Sequence, residues 1–268
     1  MPRAGFAGLG NLGLPMARAL LREGFELVVH DRDEDKVASA VGDGARAGDF
    51  AGCPFLCLAV PDDAAVEEVL DGALGGLERG AVVLVHSTIL PGTARRLAAR
   101  AAERGVGLLD APVSGGAERA LAGTLTVMVG GDEAVLARAR PVLEAVGEDI
   151  RHFGPPGTGA AAKLANQLMM LSALAGAYEA LELAAAYGVG ERAVLDTVAT
   201  STGDSWVARN WGFFEDVARA YDEGGTPVRQ RPWSKDLFDV VAAAREADVD
   251  VPVAALLSQV LAARVEAR

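Results

Sequence analysis

Metal-ligating side chains are scarce in this chain. Its 268 residues include three histidines, His30, His86 and His152, and two cysteines, Cys53 and Cys57. The cysteines stand four apart, a spacing that matches neither a zinc site nor a disulfide framework. They read as small buried thiols, and no metal site is expected. Positive charge is also short: 25 Lys and Arg face 37 Asp and Glu, a formal net charge of -12. Nucleic-acid binding calls for a basic face, so that class is set aside, and a soluble, self-repelling cytoplasmic protein is expected. Aromatic residues make up only 5% of the chain, which leaves Ala and Gly to form close helix contacts and turns. No signal-peptide pattern opens the sequence. One long apolar run, 164–186, is interrupted by Glu179 and Glu182. Charges are costly in lipid, so this run is expected to be a buried helix rather than a membrane span.

What the chain does hold is an ordered series of strand, turn and helix. An apolar strand over 3–8 runs into Gly8-Leu9-Gly10-Asn11-Leu12-Gly13, and a helix follows over 12–23, with Leu12, Met16, Leu20 and Leu21 on its inner face. A G-x-G-x-x-G between a strand and a helix is the dinucleotide-binding turn. Gly8 permits the tight turn, Gly10 the approach of a pyrophosphate, and Gly13 the close packing of helix on sheet. The helix N-terminus offers its free N–H groups to the phosphates. The next strand, 26–30, ends at Asp31-Arg32. A carboxylate there accepts from the ribose hydroxyls of NAD. Arg32 suits the extra phosphate of NADP, but Asp31 beside that phosphate would repel it, so NAD is favoured and NADP is the alternative.

Further strands are expected over 55–60, 81–85, 107–109, 124–129 and 150–153, with helices between them that include 64–70, 92–104 and 133–146. Asp62 or Asp63 caps the first of these helices, Pro91 opens the second, and Asp132 caps the third. Ligands of open parallel sheets lie at the carboxyl ends of the strands. This puts Val60-Pro61 and Ser87-Thr88 near a nicotinamide, although Ser87 and Thr88 also suit a helix-capping turn. Ser114-Gly115-Gly116 can present a hydroxyl and exposed backbone N–H groups to a carboxylate. The Pro/Gly cluster 154–157 marks the domain boundary. The chain therefore reads as an α/β Rossmann-type, doubly wound sheet over 1–154, followed by an all-α helical domain over 155–268 for substrate binding and dimerisation.

Past the boundary, Gly157-Thr158-Gly159-Ala160-Ala161-Ala162-Lys163-Leu164-Ala165-Asn166-Gln167 opens a helix expected over 157–187. Lys163 is the one charge in an apolar neighbourhood, with Asn166 and Gln167 on its face of the helix. An apolar site disfavours the ammonium and suits a lysine that exchanges a proton. A helix of about thirty residues spans roughly 45 Å and, being this apolar, needs cover along much of its length from its own domain or a second subunit. A homodimer or homotetramer is expected. Trp206, in a polar turn over 201–206, reads as a pocket wall or an interhelix wedge, and Trp211 as a wedge. Arg229 and Arg231 sit in a loop, where they could draw in an anionic substrate or be simply solvated. Ser234 is placed to cap a helix over 235–246, and an amphipathic helix is expected over 251–267.

These blocks, together with Asp110-Ala111-Pro112-Val113-Ser114-Gly115-Gly116 and Lys235-Asp236-Leu237, occur in the order found in the β-hydroxyacid dehydrogenase family, which the chain resembles from Ala4 to about Leu256. The resemblance implies an NAD(P)-dependent oxidoreductase that interconverts a small 3-hydroxy acid and its semialdehyde or keto acid. By this resemblance Lys163 is the catalytic acid/base, and Ser114, Gly115 and Gly116 bind the substrate carboxylate. Thr88 lies beside the nicotinamide, and Lys235 closes over cofactor and substrate. An amide orients the substrate; many relatives carry Asn where this chain has Gln167, so Asn166 and Gln167 both stand as candidates. Members often carry a further glycine-containing tail, whereas this sequence stops at Arg268, and whatever that tail does is expected to be missing or replaced. Two rivals share the fold: an imine reductase, against which the lysine argues, and a non-catalytic cofactor-binding protein, which would have no use for Lys163, Ser114 and Lys235 together.

Overall fold

A computed structural model describes residues 2–267. Two compact units are present, 1–163 and 164–268, and they divide within one helix.

The first unit is built on a nine-stranded sheet. Its strands are β1 (Arg3–Ala7), β2 (Glu26–His30), β3 (Arg46–Ala47), β4 (Phe55–Leu58), β5 (Val82–Val85), β6 (Gly107–Asp110), β7 (Val113–Ser114), β8 (Leu125–Gly130) and β9 (Gly147–Gly154). The order is β3-β2-β1-β4-β5-β6-β8-β7, with β9 paired to β8. From β3 to β6 every pairing is parallel, so all these strands end on one edge. Parallel strands buried on both faces need apolar side chains in both directions. In β5, Val82 and Leu84 enter one core cluster and Val83 and Val85 the other.

The helices of this unit are α1 (Gly13–Arg22), α2 (Glu34–Gly42), α3 (Asp63–Leu74), α4 (Pro91–Glu103), α5 (Gly116–Ala122) and α6 (Glu133–Val146). Their starts follow local chemistry. Asp62 accepts from the Ala65 amide at the head of α3, Asp132 accepts from the Ala134 and Val135 amides at the head of α6, and Pro91 opens α4. Met16 and Leu20 of α1 are buried as expected, whereas Leu12 and Leu21 are only partly covered. Helix α3 runs past Leu70, and β9 begins three residues before Ile150.

The second unit takes up α7 (Thr158–Ala186) from Leu164 and continues with α8 (Glu191–Val198), α9 (Trp206–Arg209), α10 (Phe213–Glu223), α11 (Pro232–Ala247) and α12 (Pro252–Glu266). Leu171, Leu174, Tyr178, Phe214, Trp233, Leu237 and Leu261 form its core. Trp233 stacks edge-on against Phe214 and Tyr221, and Trp211 against Tyr178.

Three expectations change here, those for Ser234, α12 and Arg231. For helix α7, cover within its own chain is incomplete: Met169 and Leu183 of α7, and Tyr187 just past its end, are 75%, 64% and 83% exposed. Ser234 does not cap α11, which starts at Pro232 with Ser234 inside its first turn. Helix α12 is apolar on its outer side as well, where Val253, Leu256 and Val260 are exposed. Arg231 is neither solvated nor free to draw in a substrate. It is buried, ion-paired to Asp222 at 2.6 Å and Glu266 at 2.7 Å. Glu266 also accepts from the Trp233 indole, so this arginine ties α11 to α12.

Candidate active site

The glycine turn follows β1, and its three glycines do different things. A Cβ on Gly13 would lie 1.9 Å from the Gly8 carbonyl oxygen, and one on Gly8 would lie 2.3 Å from that of Ala59. Gly8 also has a φ of +92°. Both positions are closed to side chains by the chain itself. A Cβ on Gly10, in contrast, would meet nothing within 4 Å. Gly10 therefore borders open space at the head of α1, where no side chain caps the helix. Open space before uncapped N–H groups, flanked by Asn11 and Leu12, fits a pyrophosphate.

Asp31, one residue past β2, faces this turn. Its carboxylate accepts from the Leu9 amide at 2.5 Å and the Asp33 amide at 2.9 Å. Two backbone donors orient it with oxygen lone pairs left for ribose hydroxyls. Arg32 points to Glu68, with which it forms an exposed ion pair. The Gly10 opening and the Asp31 carboxylate together fit a dinucleotide with an unsubstituted ribose.

Further along the same edge, the Val60 amide donates to the Ser87 hydroxyl at 2.9 Å, and that hydroxyl also donates to Leu58 O. Ser87 thus stitches the ends of β4 and β5 together and holds Val60-Pro61 beside Ser87-Thr88, where Thr88 is half-buried. The neighbouring His86 is buried, and its Nδ1 lies 2.8 Å from Ala111 O. A carbonyl only accepts, so Nδ1 carries the proton. Among the described residues nothing donates to Nε2. Burial pushes the imidazole down to about 4, against a small opposing pull from the Ala111 carbonyl.

Lys163 lies at the end of the first unit and is 8% exposed, and its Nζ donates to Val113 O at 2.9 Å. Val113 precedes Ser114, so Lys163 and the Ser114-Gly115-Gly116 turn are brought together across fifty residues. Gly115 and Gly116 have φ values of +143° and +76°, backbone conformations that glycine adopts readily and other residues rarely do. Asp110 is fully buried at the end of β6 and accepts from the Gly157 and Ala160 amides, each at 2.8 Å.

In the second unit Gln167 is buried, and its Nε2 donates to Asp236 at 2.6 Å. A carboxylate only accepts, so this bond sets the amide's orientation and turns Oε1 away, where it accepts from Asn166 at 3.2 Å. Lys235 pairs with Asp239 and lies 3.7 Å from Asp236. Trp206, capped by Ser205, is half-exposed and edge-on to Phe213 at 5.0 Å. Asp110, Asp236 and His86 gained no role from sequence reasoning. Their partners lie 25 to 69 residues away, beyond any local pattern. Among the described residues no group of three or more His, Cys, Asp and Glu is placed to hold a metal.

Known proteins resemble the chain over nearly its full length. Residues 3–154 match the family model for the NAD binding domain of 6-phosphogluconate dehydrogenase. Residues 157–268 match that described as NAD-binding of NADP-dependent 3-hydroxyisobutyrate dehydrogenase. The chain is 37% identical to the NAD-dependent L-serine dehydrogenase of Pseudomonas aeruginosa, over 96% of this chain and 90% of that one. It is 35% identical to a 3-hydroxyisobutyrate dehydrogenase of the same organism, over 98% and 92%. A solved 3-hydroxyisobutyrate dehydrogenase of Mycobacterium tuberculosis with L-serine superposes with a TM-score of 0.85 at 29% identity, over 100% of this chain and 94% of that one. A Streptomyces aurantiacus imine reductase, 23% identical with a TM-score of 0.70, shares the fold alone.

Proposed function

Because the chain belongs to the β-hydroxyacid dehydrogenase family, we propose that it oxidises a small 3-hydroxy acid of about the size of L-serine or 3-hydroxyisobutyrate, reversibly, with Lys163 as general acid/base. The observation that carries the reading is the buried Lys163 Nζ on Val113 O, beside the Ser114-Gly115-Gly116 turn. That turn anchors the substrate carboxylate through the Ser114 hydroxyl and the Gly115 and Gly116 amides. Neutral Lys163 takes the hydroxyl proton during oxidation, and its ammonium returns it during reduction. Bound NAD supplies the acceptor for the carbinol hydride. Gln167, four residues past Lys163 and locked by Asp236, orients the substrate, with Asn166 supporting its Oε1. Lys235 and Trp206 complete substrate binding. Asp31 selects NAD over NADP.

The test is NADH formation with L-serine, 3-hydroxyisobutyrate and 2-(hydroxymethyl)glutarate, run in parallel with NADP+ and with reduction of a cyclic imine. Turnover of at least one hydroxy acid, faster with NAD+, is expected. Imine reduction without hydroxy-acid oxidation would overturn the proposal in favour of the reductase. Binding of NAD with no turnover of any of them would favour a non-catalytic protein.

The same reading takes 1–154 as the dinucleotide-binding domain and 155–268 as the substrate and dimerisation domain of a cytoplasmic homodimer or homotetramer. In support, Ala165, Met169, Gly176, Ala180, Leu183 and Tyr187 recur at intervals of three, four and seven residues on exposed positions of α7 and its end. Such an uncovered apolar stripe is what a partner helix buries. The helix has the length and hydropathy of a membrane span, but it reads as a subunit contact in a chain of net charge -12. Sedimentation of the purified protein without detergent should show a dimer or larger, and Met169→Glu with Leu183→Glu should shift it to monomer. A wild-type monomer at micromolar concentration would refute the assembly.

A further inference from the structure

We propose that Asp110 is a positioning residue for Lys163: its buried carboxylate clamps the first turn of α7 and so sets the lysine's Nζ against the Val113 carbonyl. This rests on the reading of Lys163 as the acid/base.

The first amides of a helix have no partner within it. A side chain just before the helix ordinarily supplies one. Here the acceptor comes from β6, 47 and 50 residues earlier, and one carboxylate serves two amides. Oδ1 accepts from Gly157 and Oδ2 from Ala160. Lys163 follows Ala160 by three residues and so lies on the same face of α7. Asp110 and Val113 belong to one four-residue segment, which therefore grips α7 twice, at its first turn and at Nζ. The segment itself is stiff. Pro112 restricts the backbone, and the His86 imidazole holds the Ala111 carbonyl between the two grips.

The fit around the clamp is tight. A Cβ on Gly159 would lie 2.4 Å from Met128 O, 2.6 Å from Gly130 N and 2.7 Å from Asp110 O. The head of α7 thus has no room to slide on the sheet. Burial disfavours the Asp110 carboxylate, and the Gly157 and Ala160 amides offset this only in part. An apolar side chain would fill the same volume without that cost. A carboxylate kept at such a position is explained by what it holds, and what it holds is the turn that leads to Lys163.

The test uses Asp110→Asn in the full-length protein, with NAD+ and the hydroxy acid that turns over fastest. An amide has one acceptor oxygen, so it can serve only one of the two backbone donors. Turnover should fall at least about tenfold, the scale of a misplaced catalytic group, while the dissociation constant for NAD+ stays within about twofold, since the glycine turn is untouched. The limb of the kcat–pH profile that reports Lys163 should also move to lower pH. The carbonyl acceptor and the carboxylate charge both favour the ammonium, and both are weakened in the variant. A limb and a turnover unchanged in folded D110N, with Lys163→Ala inactive, would show that Asp110 merely ends the helix. Activity retained in Lys163→Ala would instead remove the reading beneath it. Should D110N fail to fold, Asp110→Ser, which keeps one acceptor, is read in the same way, and an unmoved limb there overturns the proposal.

Discussion

Lys163→Ala loses at least about a hundredfold in turnover, or roughly 2.7 kcal/mol of transition-state stabilisation, and keeps NAD affinity near wild type. The lysine is 8% exposed and packed at the end of the first unit. Its loss removes a proton acceptor that water does not replace well in so covered a position. The fold should tolerate the change. The head of α7 remains held by Asp110, and alanine is the best helix former. Val113 O loses its donor. In the proposed reading, cofactor binding rests on the Gly8–Gly13 turn and Asp31, which the substitution leaves in place. Steady-state rates, with NAD binding followed by calorimetry, separate the two effects. Turnover near wild type in the variant would end the assignment of Lys163 as the acid/base.

The second large effect is a loss of stability between pH 6.5 and 4 that traces to His86. The folded protein holds this imidazole neutral down to about 4, whereas a histidine in water titrates near 6.5. In that window the unfolded chain binds a proton that the folded chain refuses. Stability therefore rises with pH and is lost as pH falls from 6.5 towards 4. A shift of about two and a half units is worth about 3 kcal/mol, a large part of the 5–15 kcal/mol that holds a typical domain together. His86→Asn removes the titration and keeps a donor for the Ala111 carbonyl. Denaturant unfolding at pH 7.5, 6.5, 5.5 and 4.5 should show wild type losing ground to this variant as pH falls, because the titrations of Asp, Glu and the other histidines are common to both. Parallel curves for the two proteins would refute the claim.

Much of this site was legible in the chain because it rests on local rules. The dinucleotide turn is read from a strand, a glycine spacing and a helix start, all within twenty residues. The capping roles of Asp62 and Asp132 and the opening of α4 by Pro91 are matters of one helical turn. Lys163 stood out because charge is rare in an apolar helix. The failures share a cause as well. Arg231 looked like a loop arginine facing solvent, and only folding showed it buried between Asp222 and Glu266, the second 35 residues away. For α7 the sequence left open whether its own domain or a second subunit covers it, because hydropathy reports what a surface prefers and not which chain covers it.

The family, the fold class and the cofactor class followed from the sequence by itself. Backbone sterics and hydrophobic periodicity act over a few residues, so the order of residues is enough to express them. Tertiary structure decided which groups meet: Lys163 with Val113, Asp110 with the head of α7, Gln167 with Asp236, and His86 with Ala111. Each is a hydrogen bond between residues 25 to 69 positions apart. The donors and acceptors are written in the chain, but burial makes their pairing obligatory, and burial exists only once each unit has folded, the sheet with the head of α7 in the first and the helices in the second.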